Sequence, residues 1–270
     1  MDKRAQFDLF VADILDVAPK GDLNTMENPV FALSTKPDLE VWRFELGEVF
    51  IEVTPSQAGR PTIFDKDLLM YCISQVVEGM NRGRQVSKRV QIVAYDFLRS
   101  TGRGSGGKDY EAMLASMKRL RGVTITTNAG QKNRRAHVRG LIDSADVIER
   151  DDRGRMVNVE IELSDWIFKA VTDKNVLTYS PNYYRLRKPN ERRLYELCRK
   201  FCGSQPMWEC GEEKLYLRFG TRADRRKFRH NLKQMVREQN IPDYTIEYDE
   251  KLEKFSCFYT PKAKALMGLL

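Results

Sequence analysis

Between Arg222 and Arg237 the chain carries seven lysines or arginines and a single acid, Asp224. Wound as a helix at about 100° per residue, residues 221–239 put Phe228, Leu232, Met235 and Val236 on one narrow arc. The adjoining arc collects Arg225, Arg229, Arg222, Lys233, Arg226 and Arg237 in angular order. The apolar arc seats the helix on a core, and the cationic arc then offers a row of fixed positive charges to a polyanion. Duplex DNA is the natural counterpart, since it presents one phosphate charge per about 1.7 Å of axis. A face that served only solubility would alternate signs to gain i,i+4 pairs. Thr221 is the expected N-cap and Ile241-Pro242 the expected stop.

Other constellations are less complete. Gly102-Arg-Gly-Ser-Gly-Gly-Lys108 matches Gly-x-Gly-x-x-Gly and most of a nucleotide phosphate loop. Asp109 stands where that motif needs a Ser or Thr for magnesium, and a predicted helix precedes it rather than a strand, so it reads as a flexible turn. The two histidines, His137 and His230, are isolated and cannot form the cluster that a metal-dependent nicking enzyme requires. Tyr183, Tyr184 and Tyr195 read as core or interface aromatics. Five cysteines, an odd number with no histidine at ligand spacing, argue for reduced thiols. No catalytic residue, cofactor or metal is expected.

A chain of 270 residues accommodates two domains. Its net charge of +8 is unevenly spread: residues 1–60 are net −5, residues 61–150 net +7 and residues 185–237 net +10. Two basic surfaces are therefore expected. Acids interrupt the N-terminus where a signal peptide would be apolar, and no run approaches the ~18 apolar residues of a membrane span, which implies a cytoplasmic protein.

Residues 3–17 place Phe7, Phe10, Val11, Ile14 and Leu15 at helical spacing and predict a short amphipathic helix. Alternation from Val41 to Val53 around Gly47-Glu48 predicts a hairpin. Helices are expected from Asp65, over 91–100 and over 108–121, the last with Tyr110, Met113, Leu114, Met117 and Leu120 on one face. A strand at 123–127, a basic turn with Lys132, Arg134 and Arg135, and a strand at 136–142 complete the order of a winged helix. That order recurs: strand 157–163, helix 164–171, aromatic connector 179–186, helix 190–201, strand 215–219, the basic helix, then a hairpin of 244–248 with 255–259. The expected fold class is α+β, two tandem winged-helix domains, each a helix-turn-helix with a β-hairpin wing. Their bounds are 39–152 and 153–262, after an N-terminal helix and arm at 1–38 and before a tail at 263–270.

Asn24-Thr-Met-Glu-Asn-Pro-Val-Phe-Ala-Leu-Ser-Thr-Lys36, Phe64-Asp-Lys-Asp-Leu-Leu-Met-Tyr71 with Ser74-Gln75, and Tyr110, Leu114, Lys118-Arg-Leu120 and Thr124-Ile-Thr-Thr-Asn128 form a series. In content, order and spacing it resembles the bacterial plasmid replication initiator protein A family, over most of residues 22–260. Arg192-Arg-Leu-Tyr-Glu-Leu197 is similar to a helix in the second winged-helix domain of theta-type plasmid initiators. The resemblance implies a protein that binds repeated sequences (iterons) in double-stranded plasmid origin DNA and opens the duplex. Host initiator and replicative helicase are the implied partners, with a homodimer among the expected assemblies. It further implies that the second domain makes the main contacts, through Arg222, Arg225, Arg226, Arg229, Lys233 and Arg237. The first domain would serve dimerisation and a lesser contact set of Lys108, Lys118, Arg119 and Arg121. The basic turn of Lys132, Arg134 and Arg135 adds to it. Asp65 and Asp67 read as helix-start acids favoured by the dipole. Two other readings stay open, a transcriptional repressor without a role in initiation and a tyrosine-dependent nicking or recombining enzyme.

Overall fold

The computed structural model describes residues 9–14, 17–34, 36–129 and 136–266. The strands β1 (Leu9–Ala12) and β2 (Lys20–Asp22) and the short helix α1 (Leu23–Glu27) lead into the hairpin β3 (Trp42–Leu46) and β4 (Val49–Thr54). Then come α2 (Lys66–Asn81), β5 (Arg89–Val93), α3 (Ala94–Ser100), α4 (Gly107–Gly122), β6 (Thr124–Thr127), β7 (His137–Arg139), β8 (Ile142–Val147) and β9 (Asn158–Leu163). A connecting stretch holds α5 (Asp165–Thr172), β10 (Val176–Thr178) and a 3-10 turn at Pro181–Arg185. The second half is α6 (Pro189–Cys202), β11 (Met207–Gly211), α7 (Glu212–Phe219), α8 (Arg225–Glu238), β12 (Tyr244–Asp249), β13 (Lys254–Tyr259) and α9 (Pro261–Leu266). The chain is thus α+β, as expected.

Two stretches share one order: α2, β5, α3, α4, β8, β9 and α6, β11, α7, α8, β12, β13. In both sheets the last strand lies between the other two, β5-β9-β8 and β11-β13-β12, with every pairing antiparallel. The first sheet gains β1, parallel to β5, and the hairpins β3–β4 and β6–β7 join in a separate four-stranded sheet.

Several expectations give way to these pairings. The helix expected over 3–17 is, in its described part, the strand β1. Phe10, Ala12 and Ile14 are buried and Val11 is exposed, a period of two, and pairing with β5 satisfies the backbone. The helix expected over 91–100 starts only at Ala94, because its first residues complete β5. Residues 215–219 are not a strand but the end of α7, whose Glu212, Leu215 and Phe219 are buried at helical spacing; the strand is β11, just before it. The hairpin taken as the first wing, 123–142, pairs instead with β4. The hairpin that matches β12–β13 in the shared order is β8–β9, and the boundary expected at 152/153 falls inside it. Val159, Ile161, Leu163 and the α5 residues Ile167 and Val171 all lie in the first core.

A second core forms under α6, α7 and α8, and Met26 and Met70 from the first half are part of it. Around those two methionines the halves are joined by buried charges. Lys66 Nζ lies 2.7 Å from Glu196 Oε1, with both side chains 1% exposed, and the Tyr179 and Tyr183 hydroxyls donate to the same oxygen. Asp67 accepts from Arg192 at 2.5 Å and from Arg103 at 2.9 Å. Arg193 donates to the carbonyls of Met26, Glu27 and Arg218. The Phe64–Tyr71 and Arg192–Leu197 motifs are therefore two sides of one interface, and Asp67, in the first turn of α2 as expected, is also an ion-pair partner.

Asp65 is likewise paired, accepting from Arg119 Nε and Nη2 at 2.7 Å and from Ser116. Burial alone would raise its carboxyl pKa, but the bonds from Arg119 and Ser116 outweigh burial and hold it below the ordinary range.

Two predictions follow from these pairs. Lys66→Met or Glu196→Gln alone upsets the charge balance of a buried cluster and lowers unfolding free energy by about 3 kcal/mol. The double change recovers part of that loss, and urea denaturation of the three variants measures it; additive losses would show the pair to be uncoupled. Because the Asp65 pKa is depressed on folding, its contribution is full above about pH 4 and is lost as pH falls through the folded value. Asp65→Asn therefore costs about 3 kcal/mol near neutrality and reduces the acid-induced drop in melting temperature. Equal drops in native chain and variant would rule this out.

Candidate nucleic-acid interface

The basic helix α8 begins at Arg225, not at Thr221. Asp224 is its N-cap, the carboxylate accepting from the Lys227 amide at 2.7 Å, and an anion there also suits the positive end of the helix. Thr221 instead accepts from the Ala223 amide in the α7–α8 turn. That turn starts at Gly220, whose φ of 68° closes α7. At the far end Gln239 takes the left-handed conformation, and its side-chain amide donates to the carbonyls of Val236 and Ile246, tying α8 to β12. Phe228, Leu232 and Met235 are buried, as their spacing predicts, and Phe228 meets the rings of Tyr216 and Phe219 edge-on.

With this start the expected cationic arc divides. Arg225 pairs with Glu213 at 2.7 Å and lies over the Tyr216 ring. Two 2.7 Å bonds hold Arg229 to Glu212, and a third links it to Glu253. Tyr248 of β12 donates to the same Glu212, and Lys233 pairs with Glu250 at 2.7 Å. Acids of α7 and of the β12–β13 turn thus grip one flank of α8. Burial pushes the Glu212 carboxyl up, but Arg229 and Tyr248 prevail and keep it low.

The opposite flank is open. Arg226, His230 and Arg237 are exposed, and no side-chain partner is seen for them among the described residues. They stand at i, i+4 and i+11 on one helix face, and Lys233 at i+7, held by Glu250, borders it. Lys227, which the predicted arc left out, is exposed beside them and its side chain has no partner among the described residues. Arg222 leaves the helix. It forks onto Asp38 at 2.9 and 3.0 Å, reaches Glu40 at 3.1 Å and lies over Trp42, so it joins the halves.

In the first half Lys108, Lys118 and Arg121 are exposed along α4. Arg119 is not available with them, since Asp65 holds it. Lys132, Arg134 and Arg135 lie outside the described residues. The β8–β9 turn contributes cations that sequence reading missed: Arg153 is exposed, while Arg150 donates to the Gly154 carbonyl and Arg155 pairs with Asp151. Asp151-Asp-Arg-Gly154 between two alternating runs was the available hairpin signal. The glycine loop joins α3 to α4, and Asp109 accepts from the Gly106 amide as a helix-start cap. Tyr183 and Tyr195 are fully buried, and burial drives their phenols well above the ordinary range. The five cysteines are buried free thiols.

The two flanks of α8 predict opposite stability effects. Phe228→Ala costs about 3–5 kcal/mol, whereas Arg226→Ala and Arg237→Ala each stay within about 0.5 kcal/mol of the native chain. Denaturant midpoints check this, and a large loss for either arginine would show it to be structural.

Among the described residues no helix is long and apolar enough to cross a membrane. The domains 2 and 3 of RctB have a similar fold: one crystal structure aligns with a TM-score of 0.63 at 11% identity, covering 88% of this chain and 97% of that one. A second, of RctB residues 155–483, aligns at 0.59 with the same identity and coverage. A protein of Wigglesworthia glossinidia brevipalpis that bears the name of a replication protein is 36% identical over 248 residues, 90% of each chain. Residues 20–246 match the family described as Replication initiator protein A. Most of the chain lies within that match, and the chain belongs to the replication initiator protein A family.

Proposed function

We propose that this chain initiates plasmid replication by binding repeated sequences in double-stranded origin DNA through α8, helping to open the origin and recruiting host replication proteins. The observation that carries the reading is the exposed face of Arg226, His230 and Arg237, seated by a buried opposite side and without an acid partner among the described residues. Both stretches with the shared order are winged helices on this reading, with α4 and α8 as recognition helices and the β8–β9 and β12–β13 turns as wings. Cations such as Lys227, Lys118, Arg121 and Arg153 set register on phosphates, and arginines of α8 reach base edges, guanine most naturally. The second half is the main reader, and the first supplies dimerisation and auxiliary contacts. Host initiator and replicative helicase are its partners in the cytoplasm.

The chain acts without catalysis on this reading. Burial of Tyr183 and Tyr195 keeps those two hydroxyls from the phosphate that a nicking tyrosine has to reach.

The test is binding to a duplex carrying the direct repeats of the plasmid's own origin, against scrambled duplex, across salt. The native chain prefers the repeats. Arg226→Ala/His230→Ala/Arg237→Ala loses that preference, weakens binding roughly 100-fold or more and flattens the salt slope by roughly 1 per phosphate contact removed. The same variant fails to maintain a test plasmid. Equal binding of repeats and scrambled duplex by the native chain would sink the reading.

A further inference from the structure

Between residues 32–34 and 36–40 of the first half and the α7–α8 turn lies an open cleft of about 620 Å³. Arg60 lines it and is 2% exposed. Its Nη2 is 3.3 Å from Asp38 Oδ2, but its Nε and Nη1 have no hydrogen-bond partner. The guanidinium lies over the Trp42 ring at 4.9 Å, and Trp42 Nε1 is unpartnered too. Three of the five buried side-chain polar atoms without a partner among the described residues therefore sit in this one corner. Buried donors are ordinarily satisfied, so such a concentration calls for an explanation.

Charge points the same way. Asp38 is shared between Arg60 and Arg222, so one carboxylate serves two guanidiniums. Burial lowers the Arg60 pKa to about 10, Asp38 opposes that and Arg222 adds to it, which leaves the group cationic near neutrality. Lys36 and Lys227 line the same cleft, and neither side chain has a partner among the described residues. Glu40 is the other acid, and its side chain is 81% exposed. Four cations thus face two acids. A clamp between the halves would need Arg222 and Asp38 alone; it leaves the spare donors of Arg60 and the two free lysines unused. An incoming phosphate that draws the Arg60 guanidinium outward into the cleft it lines accounts for all of them, because guanidinium and ammonium donors to an oxyanion make the strongest class of hydrogen bond. Lys227 is on the first turn of α8, next to Arg226, so the mouth opens at one end of the face assigned to DNA.

We propose that this cleft is a phosphate-binding site and that it takes a backbone phosphate of the duplex engaged by α8, so that Lys36 and Arg60 of the first half share the contact with the second. The inference rests on the DNA-binding reading above.

The experiment uses the full chain, Lys36→Ala and Arg60→Lys, with melting curves to establish that each variant is folded. Kd for origin-repeat and scrambled duplexes is measured across salt, and orthophosphate is tested separately as a free ligand by its effect on the melting midpoint. The expected result is about tenfold weaker binding of both duplexes by each variant at low salt, a slope shallower by about 1, and an unchanged preference for repeats. A merely structural role would not move the slope. If the native chain binds duplex and both variants match it in affinity and slope, the cleft assignment is overturned while the DNA reading stands. If the native chain binds no duplex but orthophosphate raises its midpoint and not those of the variants, the site is a phosphate site for a free compound and the DNA source is overturned. Neither response overturns both.

Discussion

The buried charges between α2 and α6 are the constraint on which the arrangement depends. Lys66, Asp67, Arg192, Arg193 and Glu196 lie at the contact of the two halves, each almost without solvent. Ions in such a place cost several kcal/mol apiece to desolvate, and their mutual attraction repays that only when geometry is good and the remaining polar atoms are bonded. Both conditions hold: Glu196 receives Lys66, Arg193 and two tyrosine hydroxyls, and Asp67 receives Arg192 and Arg103. An apolar contact of the same size would tolerate sliding. A set of paired charges does not, because any displacement leaves a buried ion alone.

The same logic governs α8 at the surface. Its buried side fixes the helix on the second core, and the acids Glu212, Glu213, Glu250 and Glu253 take up Arg225, Arg229 and Lys233 on one flank. These partly exposed pairs contribute little stability each. Their effect is geometric, since they orient the β12–β13 turn against the helix and leave Arg226, Lys227, His230 and Arg237 exposed without an acid partner among the described residues. A count of cations alone does not separate the two flanks.

Much of this was legible in the sequence, and the parts that were not have physical reasons. The buried stripe of α8, the β3–β4 hairpin, α2, α4 and α6 follow from spacing, because each is long and strongly periodic. The strand β1 was misread as helix because four residues satisfy either period, and only pairing with β5 decides between them. The end of α7 was misread as strand for the same reason. The hairpin expected to follow α4 in the shared order differs because another pair, β6–β7, intervenes there, and no local signal says that its neighbour is β4. For the candidate site, the helix and its sign were readable. Which cations are occupied was not, because Glu212 and Arg229, or Asp65 and Arg119, are distant in sequence and meet only in the folded chain. The role of Asp67 was hidden likewise, 125 residues from Arg192.

Pairing across the halves also bears on how the two basic regions act together. If residues 164–188 were only a flexible connector, the second region would find its phosphates by diffusion, with an effective concentration set by connector length. Here the β2–β10 ribbon, the Lys66–Glu196 and Asp67–Arg192 pairs and the Arg222–Asp38 fork hold the second half to the first at three separate places. Their breakage is not independent, since moving α6 away from α2 strips partners from four buried ions at once. The spacing between α4 and α8 is therefore a property of the folded core. A polyanion that fits both regions binds without ordering a connector, and one that fits only α8 gains nothing from the first half. On the proposed DNA-binding reading, selectivity for a duplex of a particular shape then comes from buried residues that never touch it.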